Sequence, residues 1–362
     1  TGLTDEYYFA FSIRDTGYTH SVNFGQKPFK FPPPAGFSPL NAANVRPETV
    51  ITRPNQFVDV STWSGDGGSR TFTGLSLKPD LVWCKIRSQG YDHVIWDSVR
   101  GAGVLKELVS NDSRVEGGAS TNAYGYISEF TSNGFITTAG SSNNYYFNQS
   151  SQTYVAWSWK AGGSKNTFNV DDVGYASAAA AGLTGGNIAP IGASVGTKQG
   201  FSIIKYTGNG QNSAQGIPHG LGKTPSFVIT KALEATGDVM SWRCYHQSLG
   251  ATKYIQLDTT DAAGAFTDWA NTSPTSQYFY VGGTNNTQPA NEPKDYISYM
   301  WSDIPGLQKF GTYTSNTVAD GPYVELGFKP AIVWLKNTGT NANNSLTGWA
   351  IYDNKRPVTF NP

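Results

Sequence analysis

A twelve-residue pattern that occurs three times constrains this chain more than any other feature. Gly74-Leu75-Ser76-Leu77-Lys78-Pro79-Asp80-Leu81-Val82-Trp83-Cys84-Lys85 returns at 220–231 and at 325–336, each copy with a proline six positions before a lysine and a valine three positions after the proline. The likeness extends outward. Trp63-Ser64-Gly65, Tyr206-Thr207-Gly208 and Tyr313-Thr314-Ser315 stand 16, 19 and 17 residues before the three prolines. His93-Val94-Ile95-Trp96-Asp97, Trp242-Arg243-Cys244-Tyr245-His246 and Trp349-Ala350-Ile351-Tyr352-Asp353 follow as a return strand. The first two copies close alike, with Tyr154-Val155-Ala156-Trp157-Ser158-Trp159 and Tyr296-Ile297-Ser298-Tyr299-Met300-Trp301, 75 and 71 residues after their prolines. A period of this length is too long for a solenoid and predicts tandem domains that each own a core, like beads on a string. The third copy has no such close before Pro362, and Thr1 is not an initiator methionine, so the chain is expected to be a window on a longer polypeptide.

The strands within this period follow from residue alternation. Residues 81–85 carry Leu81 and Trp83 on one side and Val82 and Cys84 on the other, as expected of an interior strand covered on both faces. By the same register Val82, Val228 and Val333 should be interior, with Trp83, Ile229 and Trp334 on the opposite face. Residues 125–130 and 134–138 alternate with the period of two that a half-buried strand requires. With 41 glycines, 14% aromatic and only 14% charged residues, against about 25% charged in ordinary soluble domains, the chain favours turns and aromatic strands over helix. The predicted fold class is all-β: tandem antiparallel β-sandwich modules of concanavalin or jelly-roll type with little helix, one short helix being expected near 104–109.

The chain divides on this reading into 1–50, which lies outside the repeat and ends in a proline-rich run that cannot continue a ladder; module one at 51–163; a Gly/Ala-rich connector at 164–199; module two at 200–305; and the start of a third module at 306–362. Net charge is zero, which argues against a nucleic-acid surface or electrostatic docking on a membrane. No apolar run approaches the length of a membrane span.

Two stretches carry a family resemblance. Asn23-Phe24-Gly25-Gln26-Lys27-Pro28-Phe29 with Pro33-Pro34-Ala35-Gly36-Phe37-Ser38-Pro39-Leu40-Asn41 resembles the C-terminal end of SPRY-like, concanavalin-type domains of tailed bacteriophage proteins. Phe168-Asn169-Val170-Asp171-Asp172-Val173-Gly174-Tyr175, Gly200-Phe201-Ser202-Ile203-Ile204-Lys205-Tyr206-Thr207-Gly208 and His219-Gly220-Leu221-Gly222 are similar to an uncharacterised repeat domain of phage tail, fibre and appendage proteins. The resemblance implies a structural protein of the virion, an extracellular particle, in a tail fibre, spike or similar appendage that supports host attachment. It implies self-association, as a trimer by analogy, contact with other virion proteins and with host-surface glycan, and no nucleic acid and no membrane insertion. It supplies no catalytic or ligand-binding residue to carry over.

The residues themselves offer little chemistry. His20, His93, His219 and His246 occupy no recurring site, and no Cys or His pair has metal-finger spacing. Cys84 and Cys244 stand at non-equivalent positions and read as buried thiols. Asp97 and Asp353 share one module position with His246 and read as strand-end residues accepting backbone hydrogen bonds in a turn. Lys85, Lys231 and Lys336 read as snorkelling lysines. Asp66, Asp171 and Asp172 sit in glycine-containing loops without a calcium ligand ladder. No pair of acids alternates along one strand face as in glucanases, and neither a nucleophile elbow nor a phosphate loop occurs. No catalytic residue, metal or cofactor is therefore expected. Tyr145, Tyr146, Tyr278 and Tyr280 are the candidates for a sugar-stacking surface, with strand core as their competing role. A lectin-like module is the alternative function, and a glycan depolymerase a more distant one.

Overall fold

A computed structural model describes residues 50–235, 240–288, 293–316, 318, 320–339 and 348–356, with isolated positions before residue 50. Residues 1–49 and 50–362 form separate units, and the sheets belong to the second. The strands expected within 1–50, the end of a SPRY-like domain, fall outside the described residues apart from those isolated positions.

The chain runs β1 (Val58–Ser64), β2 (Arg70–Phe72), β3 (Leu81–Ile86), β4 (His93–Asp97), β5 (Leu108–Val109), α1 (Thr121–Tyr124), β6 (Tyr126–Thr131), β7 (Gly134–Thr138), β8 (Thr153–Trp159), β9 (Phe168–Val170), β10 (Val173–Tyr175) and β11 (Pro190–Gly196). It continues with β12 (Phe201–Thr207), β13 (Gln215–Pro218), β14 (Phe227–Ala232), β15 (Arg243–His246), β16 (Lys253–Gln256), β17 (Gly264–Ala265), β18 (Tyr278–Val281), β19 (Asp295–Trp301), β20 (Ile332–Lys336) and β21 (Trp349–Asp353). The fold is all-β, built of antiparallel sheets, with β9 and β11 a parallel pair.

The duplication read from sequence is a duplication of topology. The large sheet of module one has the order β1-β8-β3-β4-β5, and module two repeats it as β12-β19-β14-β15-β16 within a longer sheet. Registers agree residue for residue. Trp63 faces Tyr154 as Tyr206 faces Tyr296, and Leu81 faces Trp159 as Phe227 faces Trp301. Pro79 and Pro225 therefore enter the same sheet position. In the third copy β20 and β21 form a hairpin that sets Ile332 opposite Asp353, as Leu81 stands opposite Asp97.

One face of each large sheet is covered within its own module. In module one the small sheet β2-β7-β6 covers Val82, Cys84, Trp96 and Tyr154; in module two β13-β18 covers Val228, Tyr245 and Tyr296. The opposite faces meet one another. Trp83, Trp157, Ile229, Tyr299 and Trp301 belong to one core, with Trp334 and Trp349 of the third hairpin packed against it. Trp83 and Trp334 rings lie 5.3 Å apart, and Trp334 also contacts Trp159 and Trp301. Both faces of β3 and β14 are dry, which explains their nearly unbroken apolar runs. Each module thus owns a core between its two sheets, as expected of beads, and the modules share a third core besides, because two aromatic surfaces are removed from water together.

Polar joints ring this shared core. Trp242 of module two donates its indole N–H to the Val109 carbonyl of module one at 2.8 Å, and Trp349 of the third hairpin donates to the Gln256 carbonyl of module two at 2.7 Å. Val109 and Gln256 are equivalent, since they pair with Val94 and Arg243. Lys231 reaches the Ser113 carbonyl at 2.7 Å and Lys336 the Thr259 carbonyl at 3.1 Å, again on the preceding member of the chain. From the closing strands, Tyr299 donates to Asp97 at 2.7 Å and Trp157 to Asp353 at 3.1 Å. These contacts run in a constant sense around three members: module two onto one, one onto the third hairpin, the third hairpin onto two.

Four local expectations change. The 104–109 helix is absent; its end is instead β5, paired to β4 through Val94 and Val109, because the β4 edge offers unpaired backbone groups next to the shared core. The 164–199 connector supplies β9, β10 and β11, extending the sheet of module two; its small strand residues Ala193 and Val195, with Phe168, Leu183 and Ile188, are buried without needing a long apolar run. Lys231 does not snorkel. It is fully buried and donates to the Ser113 and Met240 carbonyls, whereas Lys85 is half-buried and Lys336 partly so. Val333 is only half-buried, in contrast to Val82 and Val228.

Candidate functional site

A concave aromatic surface lies on module one. Tyr91 sits in the β3–β4 turn, Tyr124 ends α1, and Tyr145 occupies the loop before β8; with Asp92, Arg114 and Ser120 they line an open cleft of about 260 Å³. Gly125 makes this arrangement possible. It has φ +96°, and a Cβ there would come within 2.1 Å of Asn144 Oδ1, so only glycine lets the chain turn from α1 into β6 with Tyr124 beside the 144–146 loop. Tyr91 and Tyr145 stack at 4.3 Å and 27°, and Tyr124 lies 5.2 Å from Tyr145. The Tyr145 contact raises the Tyr91 phenol above its ordinary range.

A charged rim completes the cleft. Arg114 Nη2 donates to Asp92 Oδ2 at 2.5 Å and Arg114 Nε lies 3.1 Å from Asp112 Oδ1, while Asn111 donates to Asp92 Oδ1 at 3.2 Å. The Asp92 carboxylate and the Arg114 guanidinium, which line the cleft with the rings, can exchange hydrogen bonds with hydroxyls while the rings take an apolar face. Nothing in the set is a paired acid and base poised over a scissile bond.

Of the sugar-stacking candidates, Tyr145 enters this cleft. Tyr146 touches its floor but is buried, with its hydroxyl donating to the Ala119 carbonyl at 2.9 Å. Tyr278 and Tyr280 lie on the half-exposed face of β18, away from that cleft, while Phe279 and Val281 fill the core behind them. Tyr91 and Tyr124 were not legible as partners of Tyr145, the three lying in a turn, a helix end and a loop far apart in the chain; the turn glycine Gly90 before Tyr91 is the one local hint.

The titratable residues elsewhere serve the framework. Asp97 Oδ1 accepts the Val99 and Arg100 N–H groups, and Asp353 repeats this with Lys355 and Arg356. Each then pairs through Oδ2 with the arginine three residues on, at 2.5 and 2.6 Å. His246 keeps part of the motif, its Nδ1 accepting the Ser248 N–H at 3.2 Å. His219 is fully buried against the Thr275 carbonyl, and burial lowers it to about 4; burial likewise lowers His93 to about 4. His20 lies outside the described residues. Cys84 and Cys244 are buried free thiols that burial pushes up.

A second, polar cleft of about 440 Å³ is lined by Lys78, Lys160, Asp171, Asp172 and Lys198. Its carboxylates are engaged: Asp171 accepts from Thr197, and Asp172 pairs with Lys160 at 2.6 Å. Asp66 accepts from Asn148 and from the Gly68 N–H. Among the described residues no group of three His, Cys, Asp or Glu side chains gathers where it could hold a metal ion, and no helix is long and apolar enough to cross a membrane.

Residues 53–361 match the family described as a domain of unknown function, DUF7483, and the chain belongs to that family. The match takes in both modules and the third hairpin as one stretch, the same extent as the ring of joints. No curated protein and no solved structure matches the chain significantly.

Proposed function

We propose that this chain is a non-catalytic structural component of a bacteriophage virion appendage, a tail fibre, spike or similar device, whose work is to hold an attachment surface. The observation that carries the non-catalytic part is the use made of the strongly buried charges. Asp97 and Arg100, Lys231, and Arg243 with Asp268 at 3.2 Å are each engaged with a counter-charge or a backbone carbonyl of the framework. The virion assignment is supported by the phage-type motifs at 168–175, 200–208 and 219–222. Antiserum against the chain should label purified phage particles at an appendage, and the protein should sediment as an oligomer. Labelling confined to infected-cell lysate, or sugar release from host envelope that one carboxylate substitution abolishes, would reject the proposal.

A second reading, lectin-like contact with host glycan, is favoured by the Tyr91, Tyr124 and Tyr145 cleft with its Arg114 and Asp92 rim. Saturation-transfer NMR against host surface polysaccharide should show sugar ring protons in contact with the wild-type chain. Tyr145→Ala should abolish that signal, and Tyr278→Ala should leave it; the reverse pattern would move binding to β18.

A further inference from the structure

Among the described residues the tyrosine cleft of module one has a single cation in its lining, Arg114, and that cation is already answered by carboxylates. Arg114 Nη2 donates to Asp92, Nε lies 3.1 Å from Asp112 Oδ1, and the Arg114 backbone N–H binds the same Asp112 oxygen at 2.7 Å. Gly118 brings the floor close to this side chain: a Cβ there would lie 3.0 Å from the Arg114 Cβ, so the stem runs against the floor backbone. The lysines whose charge reaches Asp92 and Asp112 are directed elsewhere. Lys85 bonds the Gln89 and Tyr91 carbonyls of its own turn, and Lys231 is fully buried on the Ser113 carbonyl.

The floor of the cleft adds negative charge and fixes the shape. Glu107 beneath it is fully buried and accepts two bonds from neutral donors, the Ala119 N–H at 2.8 Å and the Thr121 hydroxyl at 2.7 Å. The Tyr146 hydroxyl holds the Ala119 carbonyl at 2.9 Å from the other side. Pinned in this way, the chain keeps Ser120 at φ +56°, which residues with a side chain seldom adopt, and leads into the helix turn that ends at Tyr124. Burial pushes the Tyr146 phenol up to about 12, and among the charges acting on it the Asp92 carboxylate, which raises it, outweighs the Arg114 guanidinium, which lowers it, with Glu107 adding to the rise. The field at the floor is therefore negative.

We propose that this cleft takes uncharged glycan, hexose units that carry hydroxyls and no carboxylate, sulfate or phosphate, and discriminates against acidic sugars. The inference rests on the lectin-like reading of the cleft and names its ligand class. The tyrosine faces pack on the C–H face of a pyranose, and their negative quadrupole suits that contact. Asp92 accepts from sugar hydroxyls, and the guanidinium donates to them with the N–H groups that its carboxylates leave over. An acidic sugar would set another anion beside Asp92 with no unpaired cation in the lining to meet it, and like charges placed together suppress binding.

The test sets fragments of neutral glucan, mannan and galactan beside the same fragments oxidised so that each primary alcohol becomes a carboxylate, and titrates both into the full chain with saturation-transfer NMR. In about 0.01 M NaCl, where charges act over about 30 Å, at least one neutral fragment should bind, and its oxidised form about tenfold more weakly or not at all. In about 1 M NaCl, where that reach falls to about 3 Å, the ratio should shrink toward unity. Asp112→Asn keeps the acceptor for the Arg114 backbone N–H but removes one charge, and should narrow the low-salt ratio by up to about fivefold. Oxidised fragments that bind as tightly as neutral ones, or a ratio that neither salt nor Asp112→Asn moves, would overturn the inference and leave the glycan reading standing. Binding of none of the fragments, or binding that a folded Tyr145→Ala chain retains in full, would overturn both.

Discussion

Module one has two flanks, and the same positions of the repeat behave differently on each. Where module two docks, Lys231 is fully buried against the Ser113 carbonyl and Trp242 inserts its indole toward Val109. On the opposite flank the equivalent lysine, Lys85, folds back onto the Gln89 and Tyr91 carbonyls of its own turn, and half-buried His93 stands in the place of Trp242. The difference does not lie in the lysine. It lies in whether another member presents carbonyls across the joint, so burial in this fold belongs to the ring rather than to the repeat.

The largest effect that tests this contrast is at the turn aspartates. Asp97→Ala leaves the Arg100 guanidinium, whose side chain is 1% exposed, without its nearest counter-charge, and should lower stability by about 3–5 kcal/mol in urea unfolding. Asp353→Ala frees Arg356, which is 24% exposed and can be hydrated, and should cost no more than about 2 kcal/mol. Equal losses would mean the two joints are equally dry and the comparison fails.

Lys231 tests the same joint through pH. Burial lowers its ammonium to about 8, while an unfolded lysine titrates near 10.4. Between those values the unfolded chain holds a proton that the folded chain has released, so raising pH favours the folded state; below about 8 both hold it and the penalty is full and constant. Stability of the wild type relative to Lys231→Met should therefore rise by up to about 3 kcal/mol from pH 8 to 10.5. A flat difference would place Lys231 in contact with water. Smaller again is Tyr299→Phe, which removes one hydroxyl donor to Asp97 and should cost about 2 kcal/mol, nearly all of it absent when Asp97 is already Ala. Additive losses would uncouple the closing strand from the joint.

Distance along the chain decides how much of this was legible. The strands of the repeat, their register and the interior of β3 and β14 could be read because period and alternation are local properties. The shared core could not, since Tyr299 meets Asp97 and Trp157 meets Asp353 about two hundred residues apart, and an apolar run buried by a sister module looks the same as one buried by its own. The 164–199 strands escaped because Ala193, Ser194 and Val195 add to an existing ladder and need little apolar bulk. The cleft was half-legible: Tyr145 stood in an aromatic cluster, whereas Tyr91 and Tyr124 join it only through the fold.

The smallest effect is expected at Lys85, and it is the one that isolates the neighbour from the residue. Lys85 and Lys231 share the sixth position after the proline and the same chemistry, and burial lowers both ammonium groups. The Lys85 ammonium is bonded to turn carbonyls in an exposed setting, so water can take over both bonds when the side chain goes. Lys85→Met should change stability by no more than about 0.5 kcal/mol, and because burial lowers the Lys85 ammonium too, wild type should gain on the variant as pH rises toward the unfolded lysine value, by less than at Lys231. A loss at Lys85 approaching that of Lys231→Met would mean the lysine position is intrinsically demanding, and burial would have to be credited to the repeat after all.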